Sequence, residues 1–527
     1  MVKDPIAVMQ LLAQAVAAHA AGDLQEARSG YGRVLEVDPE HLDALRLLAG
    51  VQADQGDVDE AIAATQEVLR LHDHAKDHEF MSSLLTAARR RAEALAHIER
   101  SIELDAGVAS AHCQRGTLLV HAGRLQEAMA SFEQALHTEP GHIDSLVGRG
   151  LAYERLNRLD EAVASHERAI ELDPDGVAPL AGRARLHQLM GEFGQALRLY
   201  DQVIERGSGK DRAAARYGKA CTLLALGDYA QGWPLYEHRW DTLPRRKLPS
   251  ARWTGQESLE GRTLLLYADQ GLGDTLMNAR FAADLAQAGA QVVMEVQPSL
   301  VPLLQGQCGI AQVRPLGGQP PPHDFNCPLF SLPAALRLRL DTVPARAGYL
   351  RADPARKAQW ARRLGPRTQP RVGLAWSGYG GHSQDHRRSI PFAQFASALP
   401  AGWDYVSLQA HARPHECQAV ESFAPMRRFE SELTDFAETA ALVSQLDLVV
   451  TVDTSVAHLA GALGVPNWIL LHHPPDYRWL ATGEWCPWYA RSKLLRQGPD
   501  QSWPPVLQRV RRDLERWVMA GDLVLAT

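Results

Sequence analysis

Paired cysteines are missing from this chain. Its six (Cys113, Cys221, Cys308, Cys327, Cys417 and Cys486) are scattered, with no C-x-x-C spacing and no local His/Cys cluster. That pattern gives no zinc signal and suits free thiols in a reducing compartment, so a cytoplasmic location is expected. A basic excess is missing too: 55 Lys and Arg stand against 62 Asp and Glu, and the net charge is −7. No basic stripe therefore argues for nucleic acid. No apolar run is long enough to span a bilayer. The longest Ala/Leu stretch, Ile6 to Ala21, follows Pro5 and shares the spacing of the segments after it, so it is read as a helix rather than an export signal. What is present, 46% apolar and 22% charged residues over 527 positions, is the make-up of several soluble globular domains.

The first 241 residues repeat with themselves. Gly22, Gly56, Gly123 and Gly191 hold one turn position, and Ala27, Ala61, Ala94, Ala128, Ala162 and Ala196 hold another five further on, at separations of 34, 33, 34, 34 and 34. Pro39, Pro140 and Pro174 close repeats. That period is the tetratricopeptide signature: each unit is two helices, a small alanine lets them approach, and a glycine or Asn157 makes the turn. Six repeats (6–39, 40–73, 74–106, 107–140, 141–174 and 175–208) and a looser seventh at 209–241 are expected, the third degenerate because Arg89, Arg90 and Arg91 stand where its turn glycine would be. Such an α-solenoid has a groove that usually takes another protein's segment. The alternative is an array that only assembles or dimerises the chain.

A Pro/Arg-rich linker, 242–260, precedes a different kind of text. Strands are expected at Thr263–Ala268, Val292–Val296, near Asp324–Cys327, at Val372–Trp376, Tyr405–Gln409, Leu448–Val452 and Trp468–Leu471. Helices are expected from the Gly271 loop to about Ala288 and at Pro354–Leu364, Phe436–Leu446, from Thr454 to Leu463, and at Val506–Met519. Strand, loop, helix, strand is the grammar of parallel α/β sheets. A short lobe at 261–352 and a second at 353–527 imply a cleft with ligands at the carboxyl ends of strands.

Three loops at such ends carry chemistry. Gly271-Leu272-Gly273-Asp274 combines glycines that permit close approach with a carboxylate placed to take a proton from a hydroxyl; a plain helix cap is the alternative. It matches neither G-x-x-x-x-G-K-[ST] nor G-x-G-x-x-G, against an ATPase or a dehydrogenase. The loop from Ser377 to Ser389 sets His382, His386, Arg387 and Arg388 beside mobile glycines, a clamp for a diphosphate or else a solvated basic loop. In the third, a buried strand passes into a helix at Asp453-Thr454-Ser455. Unpaired N–H groups and the positive end of the macrodipole make a seat for phosphate there, with His458 one turn behind Thr454. The alternative is a capped helix with a packed histidine. Gln409, at a strand end, is a candidate reader of a base. Trp479, in Pro474-Pro475-Asp476-Tyr477-Arg478-Trp479, would stack on a base or sugar, or simply pack. The acid pairs Asp57/Asp59 and Asp173/Asp175 sit at repeat turns and helix ends, where capping explains them.

Together the loops resemble the metal-independent GT-B glycosyltransferases, especially glycosyltransferase family 9, the heptosyltransferase-like group. The resemblance lies in Gly273-Asp274 after the first strand of one lobe and in Asp453-Thr454-Ser455-Val456-Ala457-His458-Leu459-Ala460 in the other. Repeats ahead of such a domain also resemble protein O-glycosyltransferases. The resemblance implies inverting transfer from a nucleotide-sugar to a hydroxyl, with no metal and no cofactor. Asp274 would be the base, and Gly271, Gly273 and Trp479 would lie on the acceptor side. Thr454, Ser455, His458, Asp453, Ser377 and Gln409 would hold the donor, and Arg387 or Arg388 would offset charge on the leaving nucleotide. The lysine that related heptosyltransferases place after the second lobe's first strand is replaced here by arginines. An inactive scaffold, or transfer to a lipid or polysaccharide, are the alternatives.

Overall fold

A computed structural model describes residues 5–381, 384–410 and 412–519. It divides into two compact units, one ending at Leu186 and the other beginning at His187.

The first unit is a run of helix pairs: Pro5–Ala20 with Leu24–Val37, Leu42–Gln55 with Val58–Leu71, Ala75–Ala87 with Arg91–Leu104, Ala109–His121 with Leu125–Thr138, and Ile143–Arg155 with Leu159–Leu172, ending in the helix that starts at Val177. The repeated alanines Ala27, Ala61, Ala94, Ala128 and Ala162 are fully buried, which is why nothing larger holds that position. The third pair is intact. At its turn Arg89 takes the left-handed conformation (φ 62°) that Gly56 (85°) and Gly123 (75°) take in neighbouring repeats. The degeneracy is one of residue choice rather than of fold.

Large side chains fill the slots between small ones. Cβ atoms built on Gly116 and Gly148 would lie 2.7 and 2.4 Å from the Phe132 ring, and those on Gly150 and Gly182 would lie 2.5 and 2.2 Å from His166, one repeat later.

The second unit opens with the last repeat helices, Phe193–Arg206, Gly209–Ala225 and Tyr229–Tyr236, and continues into two wholly parallel sheets. In the first lobe β1 (Ala251–Arg252), β2 (Thr263–Tyr267), β3 (Gln291–Val296), β4 (Gln312–Pro315) and β5 (Phe325–Pro328) lie in the order β1-β5-β2-β3-β4. In the second, β6 (Arg371–Ala375), β7 (Asp404–Ser407), β8 (Met426–Arg427), β9 (Leu448–Val452), β10 (Asn467–Leu471) and β11 (Ser492–Arg496) lie in the order β11-β10-β9-β6-β7-β8. β9 is buried along its whole length, as expected of a strand covered on both faces.

Four strands were not expected. β1 comes from the segment read as linker, and β4, β8 and β11 lie in text without an apolar run. β1 and β8 are two residues long, too short to show a period. The helix expected to reach Ala288 is broken in two, Leu272–Asn278 and Phe281–Gln287. At the break Arg280 turns inward, where its Nε donates to Met277 O at 2.7 Å and its guanidinium reaches Trp488 O at 2.6 Å and Pro344 O at 3.0 Å.

The seventh repeat is part of the α/β core. Trp233 and Tyr236 pack against Phe330 of the first lobe and Tyr477 of the second, and the Tyr477 hydroxyl donates to that of Tyr236 at 3.0 Å. Arg239, almost fully buried, donates to Asp269 Oδ2 at 2.9 Å and to Ser331 Oγ at 2.8 Å.

Candidate active site

Each sheet has a point where the strand order reverses, between β2 and β5 in the first lobe and between β6 and β9 in the second. At such points the loops leaving neighbouring strands turn apart and open a crevice. The chain places its three chemistry-bearing loops there: Asp269 to Asp274 after β2, Ser377 to Ser389 after β6, and Asp453 to Ser455 after β9. A fourth, His472 to Trp479, follows β10.

Thr454 caps the Ser455–Leu463 helix. Its side chain accepts from Val456 N at 3.3 Å and lies 3.2 Å from Thr451 Oγ1. Thr454 and Ser455 are half-buried, so the helix start stays within reach of a ligand. Asp453 beside it is held up at about 6, by burial first and by the carboxylate of Asp476 second, against the pull of Arg388 and Arg478.

The structure separates the two arginines of the basic loop. Arg388 donates to Asp453 O at 3.2 Å, so it spans the crevice between β6 and β9; Asp385 Oδ1, 3.3 Å from its Nε, fixes its direction. Gly378 makes room for it, since a Cβ there would lie 2.5 Å from the guanidinium. Arg387 instead points to backbone, donating to His473 O at 2.8 Å and Leu189 O at 3.3 Å. Through these bonds it fastens two stretches of chain. His386 lies in the short Asp385–Arg388 helix, and His382 lies outside the described residues. Ser377 is buried, and its N–H donates to Gln409 Oε1 at 3.3 Å. The two form the floor of the loop.

His458 is interior, 4% exposed, with Nδ1 2.8 Å from the Tyr489 hydroxyl and its ring stacked on Trp479 at 4.9 Å. Burial holds it at about 3, helped by Arg478 and Arg280, so it is neutral at physiological pH. Trp479 is fully buried against it. The expectation that Trp479 stacks on a base or sugar gives way to the packing alternative, because its faces are already covered.

His458 nonetheless ties the lobes together. A Cβ on Gly273 would stand 2.5 Å from His458 Cδ2, so the glycine of the first lobe's loop is where the second lobe's helix touches it. One residue on, Asp274 has both oxygens engaged. Oδ2 accepts from Gly271 N at 3.0 Å, and Oδ1 accepts from Arg478 Nε at 2.7 Å.

Arg478 is the group that reading the sequence missed. It also donates to Asp476 Oδ1 at 2.7 Å and lies over the rings of Phe330 (4.9 Å) and Tyr477 (4.6 Å). Its signal was legible: a lone arginine two residues after an aspartate, just past the carboxyl end of a buried strand. Among the described residues no three His, Cys, Asp or Glu side chains gather as metal ligands, and no helix is long and apolar enough to cross a membrane.

Known proteins match in two blocks. Models of the tetratricopeptide repeat match residues 18–77, 82–143, 113–177 and 182–236, and the model described as glycosyltransferase family 9 (heptosyltransferase) matches residues 406–482. The chain is 29% identical over 335 residues to Protein FlbA of Caulobacter vibrioides, across 58% of this chain and 55% of that protein. It thus spans about half the length of that relative. Among solved structures, MamA protein is 24% identical, with TM-score 0.30, over 32% of this chain and 92% of that one. A tetratricopeptide repeat protein from Parabacteroides merdae is 18% identical, with TM-score 0.41, over 46% and 94%.

Proposed function

We propose that this chain, in which tetratricopeptide repeats are joined to a glycosyltransferase family 9 domain, transfers a sugar from a nucleotide-sugar to a hydroxyl group, and that the repeats present a protein carrying that hydroxyl. The observation that carries the reading is the meeting of two motifs from opposite lobes. Gly273 of one lobe lies against His458 of the other lobe's Ser455–Leu463 helix, and Asp274 bonds Arg478 from the segment after β10.

In this reaction the acceptor oxygen attacks the anomeric carbon while its proton passes to Asp274. The bond from that carbon to the diphosphate breaks, and its electron pair leaves with the nucleoside diphosphate. A single displacement of this kind inverts the anomeric centre. In this reading the positive end of the helix that starts after Thr454 and the guanidinium of Arg388 offset the charge that gathers on the leaving diphosphate. With these groups supplying the positive charge the transfer needs no metal ion, and a chelator is expected to leave it unchanged. The description of the matched family favours a heptose or related hexose as the sugar, and the repeats within the same chain favour a protein as the acceptor over a lipid or polysaccharide.

The test is release of nucleoside diphosphate from a panel of UDP-, ADP- and GDP-sugars by the full chain and by Asp274→Asn. Loss of the base should lower turnover by about 10²–10⁴. Undiminished turnover in the variant would remove Asp274 from its role.

A further inference from the structure

Arg478 joins two carboxylates from different lobes. Asp274 comes from the loop after β2, and Asp476 from the segment after β10. The Arg478 and Asp274 side chains are only 15% and 14% exposed, and their chain neighbours both touch one residue of the Ser455–Leu463 helix: a Cβ on Gly273 would stand 2.5 Å from His458, and Trp479 stacks on the same ring at 4.9 Å. Asp453 at that start feels both Arg478 and Asp476, and His458 behind it feels Arg478. The aromatic faces of Phe330 and Tyr477 hold the guanidinium in place. A preorganised guanidinium beside a helix start matches the fork of a phosphate as well as that of a carboxylate.

We propose that Arg478 is a latch: it receives the diphosphate of the donor, and while the site is empty the Asp274 carboxylate occupies the place of that phosphate. Arrival of the diphosphate displaces Asp274 from Arg478 and leaves Asp274 free to accept the acceptor's proton. Asp476 keeps its hold throughout, because its Oδ1 accepts from both the Arg478 backbone N–H at 3.0 Å and the Arg478 Nη1 group at 2.7 Å. The base is thereby released only when a donor is seated, which limits idle hydrolysis of the nucleotide-sugar. Arg478 thus binds the donor directly and sets the state of Asp274 by doing so.

This inference rests on the transferase reading, but its test is binding and does not require turnover. Titrate inorganic pyrophosphate, then UDP, ADP and GDP, into the full chain and into Asp274→Asn, Arg478→Lys and Arg478→Gln, with the melting transition of each variant as the control for folding. If Asp274 competes for Arg478, its neutral replacement binds pyrophosphate at least about threefold tighter than the wild type while transfer falls. Arg478→Gln loses at least about tenfold in affinity. Arg478→Lys, which keeps the charge without the fork and is the variant to use should the glutamine change fail to fold, loses less. Equal or weaker binding in Asp274→Asn overturns the latch, as does a wild type that binds no diphosphate. Tighter binding in Asp274→Asn, with no nucleotide-sugar consumed by the wild type, would leave the latch standing and bring down the transferase reading alone.

Discussion

His166 shows how much one residue can carry in a repeat. It occupies the slot that Phe132 fills one repeat earlier, with no exposed surface, and neither of its ring nitrogens has a hydrogen-bond partner. Burial, and after it Arg185 and Arg183, hold it at about 3, against an ordinary value of 6.5. The sign follows from linkage. Below about 6.5 the unfolded chain takes up a proton that the folded repeat refuses down to about 3, so stability falls with pH across that window and is unaffected above it. The slope from this residue is about 1.4 kcal/mol per pH unit. His166→Phe should therefore flatten the acid side of a stability profile taken by urea unfolding at several pH values. Identical wild-type and variant slopes between pH 6 and 4 would show that His166 is not buried neutral.

At the same scale residue type and spacing located the turns that carry Gly273, Asp274 and Thr454, while His458, for which packing and donor binding were both open, is packed against Tyr489 and Trp479. The sequence was not legible where two side chains compete. Arg387 and Arg388 are adjacent and chemically identical, and only the backbone direction of the short Asp385–Arg388 helix sends one to Asp453 and the other to carbonyl groups.

Among elements, the helix pairs of the repeats were readable because a 34-residue period repeats the same instruction many times. Arg89 is the exception that tests the turn. It adopts φ 62°, a conformation that costs an L residue about 1–2 kcal/mol and costs glycine almost nothing. Arg89→Gly gains that strain back, less the extra freedom of glycine in the unfolded chain, and should stabilise by about 0.5–1 kcal/mol; a thermal melt that shifts downward would contradict this. The strands divide in the same way. β2, β6, β9 and β10 are buried apolar runs and declare themselves. β4 and β11 mix a few apolar residues with Arg, Lys and Gln and take their places from their neighbours, a tertiary effect that a single strand's sequence does not contain.

At the scale of the molecule, the consequence the sequence concealed is that the seventh repeat belongs to the α/β core. Trp233, Tyr236 and Arg239 contact residues of both lobes or of the first lobe's buried loop. Each ring contact adds about 0.5–1.5 kcal/mol beyond the area it buries. A piece starting at 242 would expose Phe330, Tyr477 and Trp488 and leave Asp269 without Arg239. It should aggregate or melt far below a piece starting at 175, as read by light scattering and a thermal melt. Equal solubility and melting of the two pieces would show that these contacts do not hold the lobes.

Loops from the two lobes form one seat for an activated sugar in this proposal, and a crystal structure of the full chain with a nucleoside diphosphate bound tests it most directly. The phosphates should lie within hydrogen-bond reach of the Thr454 and Ser455 end of the helix and of Arg478, with Asp274 turned away from that arginine. Phosphates bound elsewhere, with the Asp274–Arg478 pair undisturbed, would contradict it.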